Sequence, residues 1–153
     1  MVTTPDPAET DQRRMRRAVM TMVLLSSFSM PMMLSAVNVA LPSIAEALQM
    51  DAVLLAWVPM AFLMASAALV LSFGRIADLV GRKKMFLWGA AALVLSSILA
   101  ITAKDGPTLI AYRLVQGISA AMLYATHISI VSSVYPPSER GRMIGLSVSV
   151  IYI

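Results

Sequence analysis

The sequence predicts an all-α integral membrane protein with four complete transmembrane helices and the start of a fifth. Two observations carry that class. The 153 residues are 59% hydrophobic with a mean hydropathy of +0.80, whereas soluble domains hold roughly 45–50% apolar residues. The few charges are also clustered, which leaves apolar runs long enough to cross about 30 Å of hydrocarbon at 1.5 Å per residue.

The elements follow in order. Residues 1–17 are polar and charged and read as a disordered cytoplasmic tail ahead of the bundle at 18–153. Apolar runs then fall at 18–41, 53–73, 85–103 and 108–135, and a fifth at 143–153 has about half the length of a span. The cluster Arg13-Arg14-Met15-Arg16-Arg17 precedes a first run too long for a signal-peptide core, so that run reads as a permanent anchor. Pro42 and Pro136-Pro137 are expected to close helices 1 and 4, while Pro31 and Pro59 fall inside spans and should bend them. Trp57, Trp88, Tyr112 and Tyr135 sit near span ends, where aromatic rings favour the membrane interface.

Charge fixes the orientation. Arg13, Arg14, Arg16, Arg17, Arg75, Arg82, Lys83, Lys84, Arg140 and Arg142 lie on one side, against Lys104 on the other. The basic side is the cytoplasmic one, so the N-terminus is expected inside a multi-pass protein of the inner (plasma) membrane. One partner would be the lipid bilayer. The pI near 9.9 comes from these flanking bases and does not point to nucleic acid. The basic loops should also attract anionic headgroups.

Helix 4 carries Arg113, Gln116, Tyr124 and His127 within an arc of roughly 80° at 100° per residue. Such a stripe could line one wall of an aqueous cavity. An arginine at a span centre costs at least about 2.5–3.5 kcal/mol, so it normally faces a cavity or a partner. Snorkelling is the competing reading, because Arg113 lies only about 8 Å from the helix end. His127 could relay protons or simply bond a neighbouring helix. On helix 1, Ser27, Pro31, Ser35 and Asn38 form a second stripe, suited to a cavity wall or to interhelical bonds. All eight acids lie in the tail or the loops, so no span supplies the carboxylate that proton coupling usually needs.

Enzymatic chemistry finds no support. The chain has no phosphate-binding P-loop, no Ser/His/Asp set in register, no cysteine and a lone histidine, so no catalytic residue, cofactor or metal site is expected. The thirteen methionines are scattered through apolar spans as packing or lipid-facing residues.

Between runs two and three, Gly74, Asp78, Gly81, Arg82 and Lys83 resemble the glycine-acid-glycine-base motif of the major facilitator superfamily. Arg113-Leu114-Val115-Gln116-Gly117 resembles its helix 4 motif, R-x-x-Q-G. Pro137-Ser138-Glu139-Arg140-Gly141-Arg142 with Gly145 is similar to the stretch leading into its helix 5. Asn38-Val39-Ala40-Leu41-Pro42 is similar to the end of helix 1 in the fourteen-span drug:proton antiporter branch. Leu79 stands where the first motif usually has a base, and Met33 where that branch usually has an aspartate.

The resemblance implies part of an N-terminal six-helix half. Its Gly74–Lys83 loop would be a conformational latch between the two halves of the carrier. Arg113, Gln116, Asn38, Tyr124 and His127 would be candidates for a substrate or coupling cavity. The implied function is the N-terminal part of a secondary active transporter, a multidrug or small-molecule efflux carrier working by alternating access, proton-coupled when whole. Its further partners would be a small-molecule substrate and the remainder of that transporter. The alternatives are a truncated, inactive fragment, a metabolite uptake carrier of the same superfamily, and a self-assembling four-helix exporter. The last is disfavoured because helix 1 has no embedded acid.

Overall fold

The computed structural model describes the backbone of residues 7–134 together with residues 141, 142 and 145. Four helices have both ends among the described residues: α1 (Pro7–Ala47), α2 (Ala52–Val80), α3 (Arg82–Ala100) and α4 (Gly106–Val134). Tyr135, Pro136-Pro137 and most of the expected fifth helix lie outside the described residues.

α1 begins eleven residues earlier than the apolar run, so from Pro7 onward the expected tail is helical. Proline suits the first helical position, and Asp11 sits near the positive end of the helix dipole. The far end also differs from expectation, because Pro42 does not close the helix. Proline removes one donor, the N–H that would meet the Asn38 carbonyl, yet a membrane helix tolerates that loss. The stop comes at Gln49, which takes φ 51° while the Met50 N–H donates to the Ala45 carbonyl at 3.0 Å. A left-handed residue and a six-to-one bond are how a Schellman cap ends a helix.

The expected loop from Gly74 to Lys84 is mostly helix. α2 runs on to Val80, and α3 opens at Arg82. Ile76, Ala77, Asp78 and Leu79 carry no helix breaker, so the reversal falls on Gly81 alone, at φ 104°. Two aspartates start helices. Asp51 accepts from the Leu54 N–H at 2.7 Å and Asp105 from the Thr108 N–H at 2.8 Å, each satisfying an orphan donor of a first turn.

Val37, Val58 and Leu109 form one apolar cluster, with Ile44 and Ala100 packed against it. The end of α1, start of α2, end of α3 and start of α4 thus meet, and the four helices run alternately up and down. A second cluster joins Phe62, Ala120 and Leu123 to Leu34 and Phe86 farther along the bundle. α4 is the central helix, packed most extensively on α2 and α3 and less on α1. A Cβ on Gly117 would strike the Phe62 carbonyl oxygen and lie 2.8 Å from the Ala65 Cβ. Glycine there lets the α2 and α4 backbones touch, the small-residue packing common between membrane helices.

Among the described residues, three helical stretches are long and apolar enough to cross a membrane: Ala18–Ala47, Ala52–Val80 and Arg82–Ala100. α4 has 29 residues, about 43 Å, and so has the length. Arg113, Gln116, Tyr124 and His127 lower its hydropathy. The other long helices hide them.

Candidate functional site

The polar residues of α4 do share one face, and that face points into the bundle. Arg113, Gln116 and His127 are 8%, 3% and 7% exposed, and Tyr124 is half-buried. The opposite face, with Ala111, Leu114 and Val115, is apolar and exposed. α4 is therefore polar inside and apolar outside, the arrangement a bilayer favours. Arg113 packs against the other described helices, with 8% of its surface left exposed.

Most small hydroxyls near this face are satisfied within their own helices. Ser96, Ser119 and Thr126 donate to carbonyls three or four residues back, at 2.7–3.1 Å. Ser97 differs. It donates to the Leu93 carbonyl at 2.7 Å and accepts from the Gln116 Nε2 at 3.2 Å, which joins α3 to α4. Among the described residues, two buried polar atoms are left without a partner, Arg113 Nε and Gln116 Oε1. One is a donor and the other an acceptor, a single helical turn apart. Buried polar groups are normally paired, so this orphaned step is the chemically open part of the fold.

His127 lies among rings, its centroid 6.0 Å from Phe86 and 6.3 Å from Tyr124. The described residues hold no cluster of three or more His, Cys, Asp or Glu that could bind a metal. Asn38 does not join the group. Ser27 is buried, while Ser35 and Asn38 are exposed on α1, so the helix 1 stripe is split between two environments. Sequence reasoning missed Ser97 and Phe86, the α3 partners of Gln116 and His127. The adjacent hydroxyls of Ser96-Ser97 inside an apolar run were the available signal for a helix contact.

At the α2–α3 reversal, Arg82 Nη2 and Nε approach Asp78 Oδ1 at 3.1 and 3.2 Å across Gly81. Gly74 lies within α2 with open space where a Cβ would stand, and Lys83 is exposed. Asp78, Gly81 and Arg82 therefore meet in one turn, while Gly74 is a plain helical position.

Comparison with known proteins supplies the family. A model of the Major Facilitator Superfamily matches residues 23–153. The riboflavin transporter RibZ of Clostridioides difficile is 32% identical over 119 residues, 78% of this chain and 26% of RibZ. The puromycin resistance protein pur8 of Streptomyces alboniger is 36% identical over 111 residues, 72% of this chain and 22% of pur8. A methylenomycin A resistance protein of Streptomyces coelicolor is 35% identical over 111 residues, 72% of this chain and 23% of the relative. The chain spans about a quarter of the length of these curated relatives. Its kinship is with multi-pass membrane transporters and not with enzymes, and the chain belongs to the Major Facilitator Superfamily.

Proposed function

We propose that these helices form part of the N-terminal half of a plasma-membrane carrier that exports small amphipathic molecules by alternating access. The N-terminus lies in the cytoplasm in this reading. The observation that carries it is Arg113: an arginine 8% exposed inside the helical bundle, its Nε buried, with no carboxylate paired to it among the described residues. A charge kept inside the bundle against the cost of leaving water points to a ligand or a coupling partner. Resistance proteins among the relatives support export, with puromycin and methylenomycin A in their names. Proton coupling would draw its carboxylate from other helices of the carrier, since the apolar runs of this sequence hold none. In the same reading the Asp78–Arg82 turn is the latch that favours one access state.

Grafting residues 23–153 in place of the matching segment of pur8 tests the proposal. The chimera is expected to keep puromycin resistance and to lose it with Arg113→Ala. Resistance unchanged by that substitution would count against the site. The 153-residue chain reconstituted by itself is expected to transport nothing, because alternating access in this family works between two halves. Orientation has its own test. The chain lacks cysteine, so Lys84→Cys gives a single thiol, which an impermeant maleimide should reach only in inside-out vesicles.

Import of a metabolite is the second reading, favoured by the riboflavin transporter relative. A RibZ chimera that restored riboflavin uptake, beside a pur8 chimera that gave no resistance, would select it.

A further inference from the structure

The helix ends that meet away from the α2–α3 turn converge on one side chain, Met50. It follows Gln49, whose φ of 51° lies in the left-handed region that residues with a Cβ rarely adopt. Its backbone N–H donates to the Ala45 carbonyl at 3.0 Å, while its thioether reaches the start of α4. A Cβ on the buried Gly106 would stand 2.9 Å from Met50 Cε and 3.2 Å from Sδ, so Met50 fills the space that a side chain there would need. Met50 also packs on the apolar cluster of Val37, Val58 and Leu109, which come from α1, α2 and α4. One flexible side chain thus fastens the α1–α2 link to three helices.

The chemistry of that side chain matters, because peroxides turn methionine from an apolar group into a polar one. Among the described residues, Met50 is the one methionine outside the helices. It is half-buried, and exposed Asp51, Lys104 and Asp105 mark this end of the bundle as water-facing. The other methionines stand differently. Met85 is buried, while Met22, Met32, Met60 and Met64 are exposed on the apolar spans of α1 and α2. Met50 alone joins access from water to a contact between helices.

We propose that Met50 is a reversible oxidation site whose sulfoxide unfastens this end of the bundle. Sδ gives a lone pair to one oxygen of hydrogen peroxide, and the O–O bond breaks. The proton on the transferred oxygen passes to the departing one, which leaves as water. Sulfur loses two electrons and the peroxide gains them. The new S–O group is larger and strongly polar, with Gly106 on one side and the apolar cluster on the other. It has no donor there to replace water, so the side chain swings out. Gln49 then loses the anchor beside its left-handed backbone, and the α1–α2 link opens. A methionine-sulfoxide reductase reverses the step, the oxygen leaving as water while two thiols become a disulfide.

The full chain in nanodiscs is treated with hydrogen peroxide, its oxidised methionines are mapped by peptide mass spectrometry, and its melting is followed by circular dichroism. Oxygen should appear at Met50 before Met85, and the melting temperature should fall by about 2–4 °C. The two methionine-sulfoxide reductases, one for each epimer, should restore it. Met50→Leu keeps the apolar volume, so it should fold as the parent does and no longer respond to peroxide. Met60→Leu should respond like the parent. Met50→Gln, polar without any oxidant, should start from the lowered temperature. A Met50 still unmodified when exposed Met15 is fully oxidised, a fall that survives Met50→Leu, or an oxidised Met50 with unchanged melting would each overturn the proposal.

Discussion

The side-chain amide of Gln116 donates to the Ser97 hydroxyl at 3.2 Å, binding α4 to α3 and leaving the amide oxygen buried and unpartnered. Ser97→Ala should destabilise the bundle by about 0.6 kcal/mol, the average for interhelical hydrogen bonds in membranes. Gln116→Leu removes the orphan oxygen along with the bond, so its cost should be smaller than the lost contact alone suggests. A double-mutant cycle in detergent, read by unfolding in rising SDS, measures the coupling. A coupling of zero would mean that the two side chains act independently.

Two glycines should respond in opposite directions. Gly117→Ala forces a Cβ against the Phe62 carbonyl and the Ala65 side chain, overpacking that should cost about 1–3 kcal/mol. Gly74→Ala meets nothing within 4 Å on a helix and should gain roughly 0.5–1 kcal/mol. Melting temperatures of the two purified variants check the contrast, and equal shifts would contradict the α2–α4 packing.

The α2–α3 turn depends on backbone freedom more than on its ion pair. Gly81→Ala places a side chain at φ 104°, a strain of about 1–3 kcal/mol. Arg82→Gln loses an exposed pair one turn apart, worth about 0.3–0.5 kcal/mol. The first variant should melt well below the second. A larger loss from Arg82→Gln would show that the ion pair organises the turn.

Asp105 lies outside the spans and caps α4. The Thr108 backbone N–H, and then its hydroxyl, hold the Asp105 carboxyl below the ordinary carboxylate value. A lowered folded value means that the charged cap stabilises fully above the unfolded value near pH 4, and that this contribution fades as pH falls through the folded one. Asp105→Asn keeps an acceptor without the titration, so the variant should lose less stability than the parent as pH falls below about 4. Parallel melting curves across that range would sink the assignment.

Much of this fold was legible because hydropathy and charge report on lipid directly. The four helices and the single polar face of α4 follow from runs, spacing and the cost of burying charge. Helix ends were harder to read. Pro42 looks like a terminator by soluble-protein logic, but α1 tolerates one lost donor and stops only at Gln49. Gly74 and Gly81 look equivalent in sequence, and only Gly81 adopts the backbone that requires glycine. Asn38 shares a face with Ser27 by periodicity, yet which part of that face is covered depends on where α1 crosses its neighbours. The pairing of Ser97 with Gln116 was not legible for the same reason: spacing along one helix says nothing about its register against another.

The inward-facing polar side of α4 is tested most directly by oxygen accessibility along that helix. Spin labels on single cysteines, introduced one by one into the cysteine-free chain from position 111 to 120, are read by power saturation in bilayers. Collision with oxygen should peak at Ala111, Leu114, Val115 and Ile118 and fall at Arg113, Gln116 and Ala120. A profile that peaked at Arg113 and Gln116, or showed no helical period, would mean that the buried guanidinium is not where this account places it.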